Sequence, residues 1–107
     1  MKPFCETFVS EILPVVKAVM AKKMMEDYKL SQNKIAEILE ITQPAISQYK
    51  RSLRGRRFEV LESNQKVLEL MERLTRQLAF GELSDEEKHT VYCRICRAVK
   101  NEIPDTD

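Results

Sequence analysis

The segment from Leu30 to Lys50 places the strongest constraint on the fold, because its pattern is typical of two short helices joined by a tight turn. Ser31 is placed to cap the first helix by accepting one of its unpaired N–H groups, and Thr42 is placed to cap the second. Pro44 falls in the first turn of the second helix, where a missing N–H group costs nothing. The small side chain of Ala36 is expected where the two helices cross closely.

Apolar side chains recur at helical spacing on both helices of this segment. Ile35 and Leu39 form one face of the first helix. Ile46 and Tyr49, three residues apart, are expected to pack back against that face. The second helix then directs polar side chains outward, namely Gln43, Ser47 and Gln48. An ordinary helical hairpin within a bundle shows the same apolar pattern, so the pattern alone leaves that alternative open.

The basic run KRSLRGRR, residues 50–57, follows the second helix and contains five cationic residues among eight, with no acidic residue. Runs of this kind are often no more than solvated surface. Its position directly after an outward polar face favours a different role, namely contact with the phosphates of a nucleic acid. Gly55 is expected to give the backbone freedom to turn within the run.

The charge of the chain is unevenly distributed, although its net value is only +1 over 107 residues. Residues 1–57 hold 11 Lys or Arg and 6 Asp or Glu, which gives +5, whereas residues 58–107 hold 7 and 11, which gives −4. We therefore predict a single domain, 1–107, in which residues 4–57 form a basic binding part. Residues 58–103 form C-terminal helices that support a dimer, a metal site or a redox site.

Composition excludes several classes of protein. Charged residues make up 33% and hydrophobic residues 43%, which is typical of a globular protein rather than a disordered one. The sequence has no apolar run of about 20 residues, the length that a membrane span needs, and no pattern of a signal peptide. A cytoplasmic location is expected. Three cysteines are an odd number, so they cannot all pair in internal disulfides.

Helical periodicity continues on the N-terminal side of the central segment. Residues 4–27 carry apolar side chains at helical spacing, including three methionines that are expected to fill gaps in the core. Pro14 interrupts this pattern, and because the residue before a proline avoids helical angles, a kink or short break is predicted near Leu13.

The C-terminal part of the chain predicts two further helices. Residues 59–80 carry a stripe of apolar side chains, with Asn64 as cap of the main part and Gly81 as a left-handed C-cap. Ser84 and Glu87 have the spacing of a capping box, which starts a helix that runs to about residue 100. The expected fold is an all-α bundle of five or six helices.

Over most of its length the chain resembles small archaeal regulators with an Xre-type helix-turn-helix. The resemblance rests on Cys5-Glu6, Leu30 to Ser47, Arg54-Gly55-Arg56 and Cys93 to Arg97. The central stretch also resembles the helix-turn-helix of the Xre/Cro/phage-repressor family, which implies a lambda-repressor-like arrangement and a sequence-specific transcription regulator. One residue departs from the pattern: Glu40 replaces the usual glycine of the turn, so a strained or different turn is expected.

In such a motif the start of the second helix enters the major groove, and its outward side chains reach the base edges. Gln43 and Gln48 are expected to read adenine, because an amide matches the acceptor and donor at N7 and N6. The resemblance implies that Gln32 holds a phosphate. The predicted DNA-binding residues are Gln32, Thr42, Gln43, Pro44, Ala45, Ser47, Gln48, Lys50, Arg51, Arg54, Arg56 and Arg57. One copy presents few base contacts, so a homodimer on double-stranded DNA is expected.

Cys93, Cys96 and His89 share one sector of the last helix. That sector lies opposite an aliphatic stripe formed by Val91, Ile95 and Val99. Cys5 would complete a ligand set if the two ends of the chain pack together. Three thiolates with the imidazole suit zinc, and three thiolates with an external ligand suit an iron–sulfur cluster. A thiol redox switch is a third alternative, and small apolar side chains without chemistry are a fourth.

The functional hypothesis is a sequence-specific DNA-binding transcription regulator, modulated through a cysteine-ligated metal or cluster or through thiol redox state. The alternative hypothesis is a protein-interaction or antitoxin-like module in which the same helices bind an acidic protein. An enzyme is not expected, because the sequence shows no phosphate-binding loop and no Ser-His-Asp set, and His89 is its only histidine.

Overall fold

The computed structural model describes Glu6, residues 8–53 and residues 55–102, with the backbone alone for residues 50–52, 56 and 57. These residues form six α-helices and no strand, which confirms the all-α prediction and its helix count. A π-helical turn, Phe8–Ile12, leads into α1. The helices are α1 Leu13–Glu26, α2 Gln32–Leu39, α3 Gln43–Ser52, α4 Arg56–Glu62, α5 Gln65–Phe80 and α6 Asp85–Glu102. No helix in this part of the chain has the length and apolarity needed to cross a bilayer.

The predicted helix starts are confirmed by hydrogen bonds from backbone N–H groups to side chains. Ser31 Oγ accepts from the N–H of Lys34 at 3.1 Å, and Asn64 Oδ1 accepts from the N–H of Val67 at 3.0 Å. The capping box of α6 forms both of its bonds. Glu87 N–H donates to Ser84 Oγ at 3.2 Å, and Ser84 N–H donates to the Glu87 carboxylate at 3.0 Å. Each of these bonds satisfies a donor that the helix itself leaves unpaired.

The predicted irregularity near Leu13 is present as a change in helix type. The π-helical turn ends at Ile12 and α1 starts at Leu13, with Pro14 in its first turn. The wider π turn accommodates the proline, which has no N–H group to donate and whose ring crowds the preceding turn. The chain therefore enters α1 without a break.

The prediction that Gly81 is a left-handed C-cap is wrong. Gly81 ends α5 with φ −88° and ψ 151°, an extended conformation that any residue can adopt. The reason for glycine is close packing instead. A Cβ atom at this position would lie 2.6 Å from the carbonyl oxygen of Gln77, a distance that only a shift of the backbone could relieve.

One hydrophobic core connects the helices, and α1 lies at its centre. α1 packs against α2, α3 and α5, and α5 packs against α6. Met20 and Met24 are completely buried, which confirms that these methionines fill the core. The other helices add further fully buried side chains, among them Ile35 of α2, Leu61 of α4, Leu74 of α5 and Ile95 of α6. This core fixes α3 and α6, whose outer faces carry the candidate functional residues.

Candidate functional site

The connection between α2 and α3 is a Schellman-type cap at the end of α2. The N–H of Ile41 donates to the carbonyl of Ala36 at 3.0 Å, and the N–H of Glu40 donates to the carbonyl of Glu37 at 3.4 Å. Glu40 adopts φ 56° and ψ 50°, the left-handed conformation that such a cap requires. The cap reverses the chain within three residues, so α3 starts directly after it.

The structure therefore bears out the expected strain at Glu40. A left-handed conformation costs a residue with a Cβ atom roughly 1–2 kcal/mol, which is why glycine is usual here. Lys17 of α1 supports the turn, because its Nζ group donates a hydrogen bond to the carbonyl oxygen of Leu39 at 3.0 Å. Burial lowers the pKa of Lys17, and the Glu40 carboxylate partly offsets that effect.

Glu40→Gly is expected to raise the free energy of unfolding by about 1 kcal/mol, because glycine adopts the left-handed angles without a Cβ clash. For a chain of this size the melting temperature should rise by roughly 4–8 °C, measurable by circular dichroism. Glu40→Ala is the matched control, since it removes the carboxylate but keeps the Cβ atom. If the melting temperature rises equally in both variants, the gain comes from the removal of the Glu40 carboxylate and not from relief of the left-handed backbone.

The polar face of α3 points away from the protein body, as the helical spacing predicts. The exposed residues on it are Gln43, Pro44, Ser47 and Gln48, with Thr42 exposed just before the helix. Ala45 is half-buried, so its access to a partner is limited. The opposite face packs inward through Ile46, which is 3% exposed, and through the half-buried Tyr49. The exposed face covers an arc of about 140°, wide enough to meet a continuous surface.

Gln43 is oriented by a partner that sequence reasoning missed. Its Nε2 group donates a hydrogen bond to Oδ1 of Asn33, an exposed residue of α2. A glutamine amide has two N–H donors and a carbonyl acceptor, so this bond leaves one donor and the acceptor for a ligand. Asn33 and Gln43 are ten residues apart in sequence, and only the crossing of α2 over α3 brings them together.

Gln32, the predicted phosphate contact, is exposed at the first position of α2. Together with Ser47 it lines an open groove of about 490 Å³ between α1 and α3. The start of α2 and the outer face of α3 therefore border the same surface. The N-terminal end of α2 adds the positive end of its helix dipole to that surface.

The basic run spans the end of α3, the connection and the start of α4. The backbone of Lys50 and Arg51 continues α3, and that of Arg56 and Arg57 begins α4. Arg54 lies outside the described residues. The expectation that Gly55 provides a special turn is wrong, because it caps α4 with φ −84° and ψ 170°, which any residue can adopt. The run is thus a helix–helix junction and not an extended tail.

The second predicted site lies on α6. Val91, Ile95 and Val99 are buried, as predicted. His89 and Cys93 are exposed on another face, and Cys96 is half-buried against the core. Sγ of Cys93 lies 3.6 Å from Nδ1 of His89. No disulfide joins Cys93 and Cys96.

These side chains border a groove of about 310 Å³ between α6 and the π-helical turn. We call it the cysteine groove, and it is lined by Phe8, Val9, Leu13, His89, Tyr92, Cys93 and Cys96. The N-terminal part of the chain and its last helix thus meet here, as the hypothesis of a shared ligand set requires. Cys5 itself lies outside the described residues. Among those that are described, no three His, Cys, Asp or Glu side chains converge as a metal site would require.

Tyr92 connects the cysteine groove with the turn before α3. Its ring lines the groove on one side, and the Nζ atom of Lys17 lies 5.4 Å from the ring centre. Lys17 in turn holds the carbonyl of Leu39. Lys88, also on α6, lies 4.0 Å from the Glu40 carboxylate. Burial raises the pKa of Tyr92 to about 12, with smaller contributions from the charges of Glu40 and Tyr49.

Tyr92 should make the fold sensitive to alkaline pH. The pKa of Tyr92 is about 12 in the folded chain and 10.0 in the unfolded chain, so the folded chain keeps the Tyr92 proton to higher pH. The unfolded state therefore binds fewer protons between these values, and stability falls as pH rises. The wild-type chain should lose about 2 kcal/mol more than Tyr92→Phe across this interval, measured by urea unfolding. Parallel losses in the two proteins would contradict this assignment.

No protein family model matches the chain, and neither a curated protein nor a solved structure shows significant similarity to it.

Proposed function

We propose that this protein is a sequence-specific DNA-binding transcription regulator that uses α2 and α3 as a helix-turn-helix. The observation that supports it most is the exposed polar face of α3, on which Gln43 and Gln48 are both free of the core. The short capped turn between α2 and α3 adds support, because a helix-turn-helix joins its two helices by a turn of only a few residues.

In the proposed complex the outer face of α3 lies in the major groove. Gln43 and Gln48 each present an amide to a base edge, and adenine offers the matching pair of atoms. The bond from Gln43 to Asn33 holds the first amide before DNA arrives, which lowers the entropy lost on binding. Pro44 is exposed beside them and provides apolar contact for a thymine methyl group.

Phosphates are contacted from both sides of α3 in this proposal. The exposed Gln32 and the start of α2 meet one stretch of backbone. The basic run meets the other, since its cationic residues directly follow the recognition helix in sequence. These contacts fix the position of the protein, whereas the glutamines distinguish sequences.

We further propose that two copies bind together, because one α3 helix reads only a few base pairs. The binding site should then contain two related half-sites roughly 10 base pairs apart. Modulation by a zinc ion or an iron–sulfur cluster held by Cys5, Cys93 and Cys96 also stays a proposal. Metal analysis and visible absorption of protein purified without oxygen test it directly.

The proposed function is tested by selection of duplexes from a random DNA library with the purified protein. We expect one enriched motif with twofold symmetry. The affinity for that motif should fall steeply with salt, with a slope near −0.9 for each phosphate contacted. Arg54→Gln and Arg57→Gln should weaken binding to all duplexes and flatten the slope.

The absence of any enriched motif would overturn the proposal. If a stable complex with another protein were found in its place, the interaction-module alternative would be correct. If Arg54→Gln and Arg57→Gln bind the motif as tightly as the wild-type chain does, the proposed role of the basic run is wrong. The proposal that α3 reads the bases would then still stand.

A further inference from the structure

We infer that two copies of this protein associate through the outer face of α6, with the two helices antiparallel and related by a twofold axis close to Thr90. The inference rests on the proposed function, in which two copies bind DNA together, and it names the surface through which they meet. We call this surface the α6 charge face, and its members are all exposed: Glu86, Glu87, Thr90, Arg94 and Arg97.

These five residues lie on one side of α6, outside its buried stripe. At about 100° per residue, Glu86 and Arg97 fall along one flank of the face, and Glu87 and Arg94 fall along the other. Thr90 lies between the two flanks. Each flank therefore carries a carboxylate near the start of the helix and a guanidinium group further along it.

The charges on this face lack partners within one copy. Glu86, Arg94 and Arg97 form no ion pair with any residue that the structure describes. Along the helix axis Glu86 is roughly 16 Å from Arg97, and Glu87 is roughly 10 Å from Arg94, whereas ion pairs within a helix need a spacing of three or four residues. The helix dipole favours the acidic start of α6, but both arginines lie more than one turn before its end.

An antiparallel second copy supplies the missing partners. A twofold axis close to Thr90 places Glu86 of each copy opposite Arg97 of the other, and Glu87 within reach of Arg94, because the axis repeats every contact. The capping box occupies one carboxylate oxygen of Glu87 and leaves the other. Thr90 is short, and its hydroxyl already donates to the carbonyl oxygen of Glu86 at 3.0 Å, so it needs no partner at the contact.

A second copy fits the α6 charge face better than a partner of one charge does. An acidic protein or a nucleic acid would pair with the arginines but would be repelled by the glutamates beside them. The same helix in a second copy satisfies both signs at once. One helix from each copy makes a small interface, below about 1,200 Å², so the association is weak and sensitive to salt.

Sedimentation equilibrium of the full-length protein without DNA tests the inference, in buffer with a reducing agent that keeps disulfides from forming. We expect a reversible equilibrium between monomer and dimer at roughly 20 mM salt. The Kd of the dimer should rise about tenfold at roughly 500 mM salt, because the paired charges are exposed and therefore screened.

Charge reversals test the pairing itself. Arg97→Glu and Glu86→Arg should each raise the Kd about tenfold, because each puts like charges opposite one another at both symmetric contacts. An equimolar mixture of the two variants should regain the wild-type Kd, since one chain then carries only acidic and the other only basic residues on that flank. Arg76→Glu is the control, because it reverses an exposed arginine of α5, and its Kd should be unchanged.

Circular dichroism checks that each variant folds. Arg94→Glu, on the opposite flank and away from the helix ends, should weaken association to the same degree and replaces Glu86→Arg if that variant does not fold. A protein that stays monomeric at low salt up to about 1 mM would overturn the inference. A dimer that no reversal weakens would overturn it as well, because the copies would then meet elsewhere.

The outcome is distinct from that of the library selection. If the selection gives a motif with twofold symmetry and the reversals have no effect on association, the proposed function stands and the contact through α6 is wrong. If no motif is enriched but the reversals and their mixture behave as expected, the α6 charge face joins two copies and the proposed DNA function is wrong.

Discussion

Replacing Gln43 and Gln48 together by alanine is expected to weaken binding to the selected DNA motif on the order of 100-fold. Each bidentate contact between an amide and a base discriminates by about 1–3 kcal/mol, and the two side chains are far enough apart to contribute separately. Both side chains are exposed on α3, and the hydrogen bond from Gln43 to Asn33 lies at the surface, so its loss should cost the fold little. The loss should therefore appear in affinity and not in the melting temperature. Fluorescence anisotropy with the selected duplex measures it.

The matched control is Gln77→Ala, which removes an exposed glutamine from α5, distant in sequence from the proposed interface. Its affinity should equal that of the wild-type chain. Binding of the double variant to a scrambled duplex should also be unchanged, because the phosphate contacts remain. Equal losses on the selected and the scrambled duplex would show that the glutamines do not read bases.

Leu74→Ala is expected to lower the free energy of unfolding by about 2–5 kcal/mol, which is a large fraction of the roughly 5–15 kcal/mol typical of small domains. Leu74 lies on α5, is fully buried, and belongs to the core that joins α5 to α1. Its loss combines the transfer energy of the removed methyl groups with the cost of a cavity. The midpoint of urea unfolding should shift while its slope stays constant.

Leu70→Ala on the same helix serves as the control, because Leu70 is only partly buried. Leu70→Ala should lower the free energy of unfolding by clearly less than Leu74→Ala does. A partly exposed side chain buries less apolar surface, and water can fill the space that it leaves. Similar costs at both positions would mean that α5 does not pack against α1 as described. A changed slope in either variant would indicate a change in the unfolded or folded state rather than in packing alone.

Local rules predicted much of the fold from the sequence. The caps at Ser31 and Asn64 and the capping box at Ser84 depend on residues three apart, a spacing that the helix itself imposes. The buried stripe of α6 followed from the same periodicity. The two glycines did not behave as predicted, because glycine provides both unusual backbone angles and missing volume. Sequence alone does not say which of these a position needs, and Gly81 needs the second.

The candidate sites divide in the same way. The outward direction of Gln43 and Gln48 follows from the apolar positions of α3 alone. The bond of Lys17 to the carbonyl of Leu39 spans 22 residues and exists only because α1 packs beside the end of α2. The cysteine groove likewise forms only where α6 lies beside the π-helical turn. Residue spacing in the sequence does not predict such contacts, because they depend on how whole helices pack against each other.

The central position of α1 has a practical consequence for anyone who wishes to dissect this protein. The sequence invites a cut near residue 57, where the charge changes sign. Such a cut would remove α5 from the buried surface of α1 and expose part of the apolar core to water. The N-terminal fragment would then tend to aggregate rather than report on recognition. The change in charge near residue 57 is therefore not a boundary between parts that fold separately.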